Sequence, residues 1–68
     1  MIQTDQELAA TQERLSRFQA QLLKLRRVES NPHNYRLSAS GFLAEIDRMQ
    51  LEVREYLALH PADLRASA

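Results

Sequence analysis

No cysteine occurs in this chain, so no disulfide can staple it, and thiolate metal sites and cysteine nucleophiles are excluded with it. A single glycine and two prolines are too few for a sheet full of tight turns, and one glycine cannot build a phosphate-cradling loop. Neither sign of charge is in excess: nine basic side chains stand against nine acidic ones, which leaves no general basic field for nucleic acid or an anionic membrane. No apolar run approaches the roughly 18 residues of a membrane-spanning helix, and no charged-then-apolar leader stands ahead of a cleavage site. Together with the missing cysteines, these absences make the cytoplasm the expected address.

What the chain does contain is abundant Leu, Ala, Gln, Glu and Arg, a composition that favours helix. Its 68 residues suit one small domain. A core in a chain this short supplies only ~3–5 kcal/mol, so a small domain usually leans on a disulfide, a metal or a neighbouring subunit. Without cysteine, the neighbouring subunit is the expected support.

The dominant pattern lies in residues 41–59. Phe42, Ile46, Met49, Val53, Tyr56 and Leu57 recur at gaps of three and four, so they project from one side of a helix and need a partner surface. This helix is expected over about 38–59, capped by Ser38 or Ser40 and ended by His60-Pro61. Gly41 near its start costs about 1 kcal/mol relative to Ala, and its expected use is the close approach of another backbone. The tail, 60–68, carries no periodicity and is expected to be frayed.

An earlier helix is expected over about 5–29. Thr4-Asp5-Gln6-Glu7 matches a capping box in which Thr4 accepts the Glu7 backbone N–H while Glu7 reaches back to the Thr4 amide. The first three residues are expected to fray or lie along a partner. Leu8, Leu15 and Leu22 are seven apart, and Thr11, Phe18 and Leu25 fill the other seam position, for about three heptads. Asp5 and Glu7 suit the positive end of this helix, and Lys24, Arg26 and Arg27 its negative end. Pro32 disfavours helical geometry at Asn31 and ends the helix, making 30–37 the expected connection; Pro32 can alternatively open a helical turn capped by Asn31.

Two helices of similar length joined by a short link predict an all-α fold, an antiparallel two-helix hairpin. Leu8, Leu15, Phe18, Leu22 and Leu25 on one helix would face the 42–57 stripe on the other, with the flanks left wet. Pairing of two hairpins into a four-helix bundle would cover those flanks, so a homodimer is expected and these residues are its candidate self-association or partner surface.

Chemistry is sparse. His33 and His60 are the only imidazoles, they fall at opposite ends of a hairpin, and no H-x-x-x-H or H-E-x-x-H spacing exists, so no metal is expected. Glu45, Asp47, Glu52 and Glu55 lack the E-x-x-H companion of di-metal bundles and read as a solvated helix face. The serines have no G-x-S-x-G context, so no catalytic residue, enzyme activity or cofactor is expected. Lys24, Arg26 and Arg27, with Arg36 across the connection, form the one basic cluster, with Tyr35 and His33 near enough in sequence to stack on a base. Helix C-termini attract basic side chains in any case, so nucleic-acid contact is the second functional reading.

Residues 44–57, A-E-I-D-R-M-Q-L-E-V-R-E-Y-L, preceded by a polar helix carrying F-Q-A-Q-L at 18–22, resemble the helical region ahead of the helix-turn-helix domain in HigA-like antitoxins. They are also similar to short bacterial proteins made of that hairpin alone. The resemblance covers most of the chain but not the DNA-reading domain, for which only nine residues remain after Leu59. It therefore implies a hairpin used for self-association or for clasping a protein such as a toxin, and it carries over neither DNA recognition nor any toxin-binding residue.

Overall fold

A computed structural model describes residues 1–63, which form two long helices packed side by side with no strand among them. Helix α1 spans Asp5–Val28 and helix α2 spans Pro32–Leu57. The hairpin is a rod with extents of 51 × 16 × 13 Å. Residues 64–68, most of the tail expected to fray, lie outside the described residues.

At the start of α1, the Glu7 N–H donates to Thr4 Oγ1 at 3.0 Å, as a capping box requires. The return bond differs from expectation: Glu7 Oε2 accepts from the Gln3 N–H at 2.7 Å, not from the Thr4 amide. This bond bends the leading residues back along the helix, and Ile2 becomes 5% exposed while Met1 stays in solvent. The expected fraying of the first three residues is thus replaced by an apolar anchor.

The link is shorter than expected, and α2 starts about six residues earlier. Glu29 closes α1 by donating its N–H to the Leu25 carbonyl at 2.9 Å, and its Oε1 accepts the Asn31 N–H at 3.1 Å. Asn31 Oδ1 then accepts the N–H groups of His33 at 2.9 Å and Asn34 at 3.3 Å, with Pro32 at the first helical position. Proline loses nothing there because that N–H has no partner in any helix. The residue that stops α1 is therefore the one that opens α2, and 32–37 are helical rather than loop.

The two helices run antiparallel. The Phe18 and Phe42 rings meet edge to face with centroids 5.9 Å apart, and the Tyr56 hydroxyl donates to Asp5 Oδ1 at 2.6 Å across the open end. These two contacts set one register, which brings Ile46 level with Leu15, Ala39 with Leu22 and Met49 with Thr11. Thr11, the short polar member of the α1 seam, thus sits at the level of Met49, the largest side chain that is fully buried. An edge-to-face aromatic pair adds ~0.5–1.5 kcal/mol beyond its area.

The tail also departs from expectation. The His60 N–H donates to Asp63 Oδ2 and the Ala62 N–H to His60 Nδ1, each at 3.0 Å, so His60 caps a further helical turn that opens at Pro61. The His60 imidazole thus works as a hydrogen-bond acceptor at a new N-terminus.

Candidate interaction surface

The described residues hold no group of three or more His, Asp or Glu side chains placed to ligate a metal. Glu45 pairs with Arg48 on the surface, where exposed ion pairs contribute little. The hydrogen bond to Glu45 and then its charge, with a further push from Glu52, hold the Arg48 guanidinium above its ordinary value. His33 is exposed in the first turn of α2, at the end of the rod opposite His60. No helix is long and apolar enough to cross a membrane among the described residues.

The expected stripe divides between the two sides of α2. Ile46, Met49 and Tyr56 are buried within the single hairpin, and Phe42 and Val53 are half-buried beside them. On α1, Leu8, Thr11, Leu15, Phe18, Leu22 and Leu25 are half-buried, and no residue of that helix is fully covered. Leu57 leaves the stripe: it is 62% exposed, because it is the last residue of α2 and lies level with Thr4, where α1 has not yet begun.

Two seam residues escaped the sequence reading. Ala39 is 1% exposed and Tyr35 is half-buried. Both continue the four-three spacing of Phe42, Ile46, Met49, Val53 and Tyr56 backwards, Tyr35 into the segment expected to be a loop, and that continuity was the available signal. Ile2 had no such signal, since three residues cannot show a period.

Tyr56 joins the free ends of the rod. Its hydroxyl is held above the ordinary 10.0, first by its hydrogen bond to Asp5, then by burial, then by the charges of Asp5 and Glu7. Ionising the phenol would set a third negative charge beside two carboxylates. As far as the phenol's own ionisation goes, the contact stabilises the fold below the ordinary tyrosine range and is lost as pH rises through the raised value. Near-ultraviolet titration of tyrosinate absorbance should show a step above the ordinary tyrosine range that Tyr56→Phe abolishes. A titration with no step that Tyr56→Phe removes from above that range would contradict the Asp5 contact.

The outer surface is uneven. Large exposed apolar side chains on α2 are Leu37, Leu43, Leu51 and Leu57, against only Leu23 and Val28 on α1. A shallow depression of about 290 Å³ lies between the helices, lined by Phe18, Ser38, Gly41, Phe42 and Glu45. A second, of about 270 Å³, lies beside Ile2, Thr11, Arg14 and Glu52. A Cβ added at Gly41 would meet nothing within 4 Å, so within the hairpin no backbone makes the close approach expected there. Gly41→Ala should accordingly stabilise the protein by about 0.5–1 kcal/mol, read as a higher urea midpoint with an unchanged slope; a lower midpoint would mean that another chain does approach at that position.

The basic residues gather at the linked end but do not share a face. Lys24, Arg26, Arg27 and Arg36 are all exposed, yet at ~100° per residue the first three spread over roughly 160° of α1. Tyr35, the aromatic expected beside them, turns into the seam instead. No protein-family model matches this chain, and neither does any curated protein or solved structure.

Proposed function

We propose that this chain is a non-enzymatic, cytoplasmic interaction module: two hairpins associate into a four-helix bundle, and the assembly binds a partner protein in the manner of an antitoxin. The observation that carries the reading is how little one hairpin covers. Five hydrophobic residues are buried, Ile2, Ala39, Ile46, Met49 and Tyr56, while four leucines of α2 remain in water. A rod 51 Å long and 16 Å wide also presents a broad side on the order of the ~800 Å² per partner that a stable interface uses. Light scattering and sedimentation over a dilution series test it. A dimer whose helicity falls on dissociation is expected, and a fully folded monomer at every concentration would overturn the reading. Partner capture should resist high salt, since it would rest on apolar contacts.

Nucleic-acid binding is the second reading, favoured by Lys24, Arg26, Arg27 and Arg36 being exposed at one end of the rod. It predicts retention on DNA or RNA that falls steeply with salt and is abolished by Arg26→Ala with Arg27→Ala.

A further inference from the structure

We propose that the second copy docks antiparallel on the outer side of α2, about a two-fold axis between Gln50 and Leu51, so that Asp47 pairs with the partner's Arg54. The inference rests on the self-association reading above and specifies its face and register.

The first support is where the uncovered apolar surface lies. Measured at ~100° per residue from the centre of the buried seam, Leu57, Leu43 and Leu51 fan over one side of α2, from roughly 50° to roughly 170°. They are 62%, 45% and 52% exposed. Asp47 and Arg54 occupy the middle of that arc, both exposed, and neither has an ion-pair partner among the described residues. The outward side of α1 offers no comparable patch, since only Leu23 and Val28 are large and exposed there.

The second support is charge complementarity. Parallel pairing of two α2 helices would set Asp47 beside the partner's Asp47 and Arg54 beside the partner's Arg54. Antiparallel pairing about the stated axis brings each Asp47 level with the partner's Arg54, twice, as a closed isologous interface requires. The same register sets Leu43 level with the partner's Ala58 and Leu57 level with the partner's Ala44. Leu51 lies next to the axis.

Charge reversal tests the pairing, because in an isologous interface one chain supplies both partners. Asp47→Arg and Arg54→Asp should each weaken dimerisation by ~10-fold or more through like-charge contact, and the double reversal should restore it. Circular dichroism checks that each variant keeps its helicity, as expected for exposed positions. The absence of native cysteine allows a second readout: Leu51→Cys should oxidise readily to a disulfide dimer, and Glu13→Cys on the outer side of α1 should not. A wild-type protein that is monomeric throughout would overturn self-association and this inference together. A dimer indifferent to both single reversals, with Glu13→Cys cross-linking in preference to Leu51→Cys, would keep self-association and overturn the antiparallel α2 contact.

Discussion

Ile46→Asp is expected to unfold the protein. Ile46 is 6% exposed, on the face of α2 turned to α1 and level with Leu15, and no buried polar or charged side chain accompanies it among the described residues. A carboxylate placed there must either stay ionised without a partner or take up a proton and still lack one. Either outcome costs several kcal/mol, on the order of the ~3–5 kcal/mol that a core of this size supplies. The measurement is far-ultraviolet circular dichroism with light scattering on the same sample. Loss of helicity, and with it of the proposed dimer, is expected; a fully helical, folded variant would show that Ile46 does not lie in the seam.

Ala39→Leu should be the next most damaging change, for the opposite reason. Ala39 is 1% exposed and level with Leu22, so the helices touch where α2 has only a methyl group. Three more carbons at that level would push the rods apart or force strained rotamers, at a cost of about 1–3 kcal/mol. Ala20→Leu, at an exposed position of α1, provides the contrast and should stay within about 0.5 kcal/mol of wild type. Urea unfolding of the two variants checks it. Equal midpoints would mean that Ala39 has room around it, and the register set by the Phe18–Phe42 and Tyr56–Asp5 contacts would have to change.

These two positions show how differently the chain can be read. Ile46 was visible in the sequence because it repeats with Phe42, Met49 and Val53 at helical spacing. Ala39 stands in the same series, but alanine is as common outside a core as inside, and it precedes Gly41 in a stretch dominated by Pro32 and Asn34. The breaker signal at Pro32 is satisfied equally by a loop up to residue 37 and by a helix starting at once. The observed start rests on Asn31 accepting two backbone N–H groups and on Tyr35 and Ala39 reaching the seam. Glu7 is a similar case: its pairing with the N-terminal backbone was readable, but whether Gln3 or Thr4 donates depended on how the first residues fold back.

Helix type, the capping of α1 by Thr4, the seam from Leu8 to Leu25 and the antiparallel return could all be read from residue order, because each depends on neighbours within one or two helical turns. Packing of one rod on the other decided the full burial of Ala39 and the exposure of Leu57. It also made the hydrogen bond between Tyr56 and Asp5, whose partners are 51 positions apart. Those features depend on helix phase and length summed along both rods, and no local spacing encodes such a sum.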